Sequence, residues 1–316
     1  MINFTNAIKS FLSKTDNAKI FEELKGTIMK IILGSGIAGL IWGYYHPDYY
    51  IMGNNIGGQM SSNFDLGPRY LHNSGKFVVD FLSELKVPFE HKTIKVGYLD
   101  DSGFVDNPSQ EFREKYFMKS RNQTSLEQFD SSVMNSAKSE FEVLVVDFKK
   151  LISILYEKVC YRFLNGMVSS IDLNEKKFYA NNVCFKYSKL VSTIPLNIFS
   201  KISNLGLNLQ SYDMSYFLVK NKFFDFDGFD YIYDCRTNTA FHRITKTKLG
   251  SVLDFFGDMS NCLLPSENLV FLKYAQIIPL KEKIEINNVK FVGRYGKWDR
   301  KVKIENIIEE ANLQKQ

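Results

Sequence analysis

Apolar positions along the 316-residue chain change period several times, and each change marks an element. Ile8, Phe11 and Leu12, then Ile20, Phe21 and Leu24, recur at helical spacing until Gly26, so residues 1–27 read as a helix-prone N-terminal extension. Ile28 to Leu33 is a continuous apolar run bounded by glycine, the pattern of a strand buried on both faces. A short helix from Ile37 to Tyr45, closed by Pro47, and a second buried strand from Tyr49 to Met52 complete a strand–helix–strand unit.

Further on, Phe77, Val78, Phe81, Leu82 and Leu85 line one face of a helix that Pro88 terminates. Residues 89–106 alternate around Asp100 to Gly103, which predicts a hairpin. Pro108 opens a helix to about Lys119, and the Ser/Asn-rich stretch 120–140 reads as a long loop. Phe141 to Val146 is an apolar strand, and Asp147 caps a helix carrying Leu151, Ile154, Leu155 and Val159. Residues 160–194 read as a meander with a turn at Asn174 to Lys177. Strands and loops alternate to about 275, with a last buried strand from Asn288 to Val292 and a C-terminal helix from about Lys301.

At 45% hydrophobic and 24% charged residues the chain has ample material for a core, which excludes wholesale disorder. A formal charge of +5 falls short of a dedicated nucleic-acid binder and suits small anions equally well, so a nucleic-acid partner is open but unsupported. No apolar run reaches the roughly 18 residues of a membrane span, and the N-terminus lacks the layout of a signal peptide. Cys160, Cys184, Cys235 and Cys262 form no CxxC pair and read as reduced thiols of a cytoplasmic protein. His46, His72, His91 and His242 are scattered, so no metal site is expected. Asp225, Asp227, Asp230 and Asp234 lack the EF-hand spacing and read as a solvated loop.

The chemistry gathers at glycines. Gly34-Ser35-Gly36-Ile37-Ala38-Gly39 is GxGxxG directly after a strand and at the start of a helix, the context of a dinucleotide-binding turn. Gly34 makes the turn, Gly36 lets backbone approach a pyrophosphate and Gly39 permits close helix–sheet packing. Helix-start N–H groups favour the phosphates. The acidic residue expected after the second strand is replaced by Asn54, a weaker partner for ribose hydroxyls. Gly57 and Gly58 follow, with Gln59 and Met60.

This second glycine pair resembles that of FAD proteins of the glutathione-reductase type, closest to flavin amine oxidases and UDP-galactopyranose mutase. Asp65 to Asn73 is similar to the mutase segment that lies against the flavin, with Pro68, Arg69, Tyr70 and His72; Arg69 stands where the family has its first histidine. Leu190 to Pro195, including Thr193, resembles the strand end that returns to the cofactor. Phe241 to Thr245 is similar to the mutase segment whose arginine, here Arg243, contacts the substrate diphosphate; Lys246 replaces the glutamate that follows. Phe291 to Trp298 resembles the motif whose Gly-Arg turn, here Gly293 and Arg294, meets the FAD pyrophosphate.

The resemblance implies an α/β chain. A Rossmann-type FAD-binding domain (28–86, 141–196 and 288–316) is interleaved with a smaller α+β substrate domain (87–140 and 197–287). It implies FAD as cofactor, held by residues 34–39, Asn54, residues 57–60, Pro68, Arg69, Tyr70, Val168, Thr193, Gly293, Arg294, Trp298, Lys301 and Val302. Arg69, His72 and Arg243 are the catalytic candidates, and Tyr231, Tyr233 and Tyr274 are candidates for a substrate pocket. The implied function is an amine-oxidase-like FAD oxidoreductase that moves a hydride to flavin N5 from a small polar or anionic amine. The alternatives are a mutase-like isomerase of a nucleotide sugar, a flavoenzyme tailoring a nucleic-acid base, and a non-catalytic FAD-binding protein.

Overall fold

Two sheets carry the chain, and the hydrophobic pattern of their strands explains which side each covers. The computed structural model describes residues 17–60, 70–72, 75–105, 107–121, 140–220, 228–247, 250–259, 269–280 and 282–315. In chain order the elements begin α1 (Asn17–Leu24), β1 (Ile28–Leu33), α2 (Ile37–Tyr45), β2 (Tyr50–Gly53), β3 (Leu71–His72), α3 (Lys76–Glu84), β4 (Phe89–Asp100), β5 (Gly103–Val105) and α4 (Gln110–Arg121). They continue with β6 (Glu140–Val146), α5 (Phe148–Val159), β7 (Phe163–Asn165), β8 (Val168–Asp172), β9 (Lys177–Ala180), β10 (Val183–Ser192) and α6 (Leu196–Ile202). The last are β11 (Ser211–Lys220), β12 (Tyr231–Asp234), β13 (Phe241–Thr247), β14 (Gly250–Phe256), β15 (Leu269–Ile277), β16 (Val289–Phe291), α7 (Gly293–Lys297) and α8 (Ile304–Leu313).

The first sheet has a parallel core ordered β7-β2-β1-β10-β16, with β9 and β8 joined antiparallel to the N-terminal half of β10. Its strands are apolar on both faces because both faces are covered. Ile32 packs with Leu40 and Ile41 of α2, Leu151 of α5 and Ile308 of α8. Ile31 and Leu33 point the other way, onto Phe178, Phe185 and Phe199. Gly43 lets α2 lie close to β1 and β2, since a Cβ there would meet the Ile51 side chain at 2.4 Å.

Arg162 closes the far end of α2. Its guanidinium donates to the backbone oxygens of Gly43 (2.9 Å), His46 (3.1 Å) and Tyr49 (2.5 Å), and Pro47, which has no N–H, leaves the Gly43 carbonyl without its helical donor.

The second sheet is ordered β15-β11-β14-β13-β12-β4-β6-β3, with β5 paired to β4. It is antiparallel except where β12 runs parallel to β4. Here α4 covers one face, where Phe112 and Tyr116 meet Ile94, Val96, Tyr98 and Tyr233.

Several boundaries differ from the sequence reading. The run at 141–146, expected in the cofactor domain, pairs with β4 in the second sheet. An apolar strand states its burial and leaves its neighbour open, and register with β4 decides the matter. The two short runs expected at 183–185 and 190–195 form one strand, β10. The C-terminal helix expected from Lys301 starts at Ile304 as α8, and a short additional helix, α7, precedes it, ended where Trp298 turns left-handed with φ +52°. The helix expected from Pro108 starts at Gln110. The long loop lies mostly at 122–139, outside the described residues, as do Asp225 and Asp227. No described helix is long and apolar enough to cross a membrane.

Candidate functional site

The C-terminal ends of β1, β2 and β10 bring two glycine segments and Thr193 into contact. Gly34 leaves β1 with φ +109°, a conformation side chains disfavour, and its N–H donates to Met52 O at 2.8 Å. Thr193, just past β10, donates its hydroxyl to Leu33 O (3.1 Å) and Gly34 O (3.2 Å). A Cβ at Gly34 would strike that hydroxyl at 2.4 Å, and a Cβ at Gly39 would lie 2.0 Å from Gly34 O. The turn is therefore closed by contact on every side except one.

The open side is Gly36. A Cβ built there meets nothing nearer than Gly58 Cα, at 3.9 Å. Gly36 is the N-cap of α2, and intrahelical bonding starts with Leu40 N–H to Gly36 O at 3.0 Å. The N–H groups of Ile37, Ala38 and Gly39 thus stand in the first turn without intrahelical acceptors, at the positive end of the helix dipole. Gly57 and Gly58 face the turn: Gly57 N–H donates to Ser35 O at 2.8 Å, and Gly58 takes φ +59°. Ser35 pins the two segments together by donating to Asn55 O at 2.9 Å. The result is a cradle walled by backbone, which a side chain at Gly36 would fill. That shape and donor set fit a diphosphate.

The remaining expected cofactor residues fall around this cradle unevenly. Asn54 is exposed directly after β2, next to the turn. Gly166 N–H donates to Gly53 O at 3.3 Å, which brings the start of β8, with Val168, toward the same strand end. Gly293 packs on α2, its Cβ position 3.0 Å from Ala38 Cβ. Arg294 is exposed and donates from Nε to Val302 O at 3.2 Å, so it ties α7 to the α8 approach. Lys301 is exposed, while Trp298 and Met60 are buried among apolar side chains. The Gln59 side chain, Pro68 and Arg69 lie outside the described residues.

His72 sits on β3 at the entrance to α8. Its N–H donates to the Glu305 carboxylate in the first turn of that helix, and its ring stacks on Phe141 at 5.5 Å. Burial, with Lys303 nearby, lowers the His72 pKa to about 4, so the ring is neutral at neutral pH. Burial also raises Glu305 and lowers Lys303 from their ordinary values. Tyr70 meets the same two rings, at 5.6 Å from His72 and 5.9 Å from Phe141.

Arg243 lies on β13, on the face of the second sheet that also carries Tyr231, Tyr233 and Tyr216. Its Nη1 donates to Tyr231 Oη at 2.8 Å and its Nη2 to Tyr216 Oη at 3.2 Å. Nη2 also pairs with Asp254, which is fully buried opposite it on β14. The role expected of Arg243, a free cation for an anionic group, therefore changes: its charge is already met within the protein. Asp254 was not foreseen, yet a lone acid inside Ser251-Val252-Leu253-Asp254-Phe255-Phe256 is the signal that a cation must face it. The Tyr274 side chain lies outside the described residues.

No known family profile and no curated protein matches the chain in sequence. Solved structures do match in fold. A reduced UDP-galactopyranose mutase superposes with a TM-score of 0.62 at 12% identity, covering 90% of this chain and 92% of that one. A cofactor-binding redesign of putrescine oxidase gives 0.60 at 10% identity over 91% and 97%. A fatty acid isomerase from P. acnes gives 0.62 at 10% identity over 90% and 97%. The chain thus has a mixed α/β fold, with one mainly parallel and one mainly antiparallel sheet, similar to that of these flavoenzymes.

Proposed function

We propose that the chain binds FAD and acts as a flavin-dependent oxidoreductase of the amine-oxidase type on a small molecule. The observation that carries this reading is the backbone cradle at Gly36, where the first turn of α2 and the Gly57-Gly58 segment meet with no side chain between them. Residues 34–39 would hold the diphosphate by backbone N–H groups, Asn54 the ribose hydroxyls, and Gly57 to Met60, Tyr70, Val168, Thr193, Gly293 and Arg294 the rest of the cofactor. Pro68 and Arg69 are proposed beside them on the ground of sequence alone.

Bound flavin supplies a hydride acceptor. This chain's residues orient the substrate and exclude water. His72, held neutral by burial, offers no fixed charge, and the tyrosines of the second sheet give an apolar wall with polar tips. In this reading Arg243 positions tyrosine hydroxyls. That favours the oxidoreductase over the nucleotide-sugar isomerase, whose diphosphate needs an uncompensated arginine.

The test is turnover. FAD-loaded protein given a panel of primary and secondary amines in air is expected to form peroxide with at least one. No peroxide from any amine, together with isomerisation of a nucleotide sugar only after dithionite reduction, would overturn the oxidoreductase reading.

A further inference from the structure

The polar groups on the Arg243 face exceed what the protein itself satisfies. Thr245 stands directly opposite Tyr231 across the β12–β13 pair, is 4% exposed, and its hydroxyl has no hydrogen-bond partner among the described residues. His242, in the bulge beside Arg243, is 3% exposed, and its Nδ1 is likewise unpartnered. Buried polar atoms without partners are rare, and a bound molecule is one way to satisfy them.

The hydroxyls have a defined polarity. Arg243 has only donors, so Tyr231 must accept its hydrogen bond. The Tyr231 and Tyr233 rings lie edge to face, 4.9 Å apart. Having accepted from Arg243, the Tyr231 hydroxyl keeps its own O–H for a further acceptor. Tyr231 and Arg243 are only part-buried, so an incoming molecule can reach them.

Arg243 is matched by Asp254. On α4, Lys119 shares Asp234 (3.3 Å) with Arg236 (2.6 Å), and Arg121 lies over the rings of Phe117 and Tyr212 at 5.7 and 5.8 Å. Burial holds His242 neutral, and it also keeps Tyr116, Tyr231 and Tyr233 protonated.

We infer that the Tyr231–Arg243–Asp254 group is a subsite for an uncharged organic molecule bearing a carbonyl-type oxygen. Tyr231 or Tyr233 donates to that oxygen and the tyrosine rings hold the apolar part, while Asp254 cancels the arginine that would otherwise select anions. This names the substrate class of the proposed oxidoreductase and rests on that reading for the subsite's role, though not for its selectivity.

Isothermal titration with the isosteres benzamide and benzoate at neutral pH, with and without added FAD, tests it. The native protein is expected to bind benzamide at least about tenfold more tightly than benzoate, the worth of roughly one hydrogen bond and an avoided charge mismatch. Asp254→Asn is expected to narrow or invert that ratio, and Tyr231→Phe to weaken benzamide by about tenfold. Equal binding, tighter benzoate or no binding of either by the native protein would overturn the subsite, and this arm needs no variant to fold. A chain that keeps the preference but takes up no FAD would overturn the oxidoreductase reading and leave the subsite standing.

Discussion

His72 joins three things at one residue: a strand to the second sheet, a hydrogen bond to α8 and an aromatic stack. Its folded pKa of about 4 lies below the ordinary 6.5, so the unfolded chain binds more protons between those values. Stability from this group is fully present above pH 6.5 and is lost as pH falls toward 4, by on the order of 1 kcal/mol after solvent screening. Glu305 has the opposite sign, since its raised pKa favours folding at low pH and loses that contribution as pH rises. Urea midpoints at pH 7 and pH 5 are expected to differ in the native protein and to converge in His72→Gln; an unchanged pH slope in the variant would remove the ring from the account. The glycines of the cradle were legible one by one, because each requirement is local. Asp254 and Glu305 were not read as site residues, because their meaning depends on partners 11 and 233 positions away.

Arg162 shows the same division among elements. Sequence periodicity gave α2 its apolar face and left its C-terminus with no capping glycine. The cap comes from a guanidinium 116 positions downstream of His46. Three charge-assisted bonds to backbone oxygens make this a costly group to lose, and Arg162→Met is expected to destabilise the fold by about 3 kcal/mol in chemical denaturation. A loss below roughly 0.5 kcal/mol would mean water replaces those bonds. The strand–helix–strand unit was legible because a continuous apolar run followed by GxGxxG has few other solutions. The apolar run of β6 suits either sheet, and its long antiparallel register with β4 is a tertiary fact that the sequence alone does not state.

At the scale of the whole molecule, the fold belongs to a class used by oxidases and isomerases alike, so the function rests on the site. The architecture was readable because cofactor motifs recur in order along the chain. The substrate side was less so, since the second sheet carries its specificity in cross-strand pairs that no linear motif records. Binding of FAD at the glycine cradle is the claim on which the rest depends. The Gly36→Ala variant isolates it: φ is −66°, and its methyl group meets no protein atom within 3.9 Å. The variant is therefore expected to melt within about 3 °C of the native protein, allowing for the weaker N-cap, while losing cofactor. The direct measurement is a flavin fluorescence and absorbance titration of both proteins with FAD. The account predicts stoichiometric uptake by the native chain and at least about tenfold weaker binding by Gly36→Ala. A native protein that takes up no FAD, or a variant that binds it equally well, would contradict it.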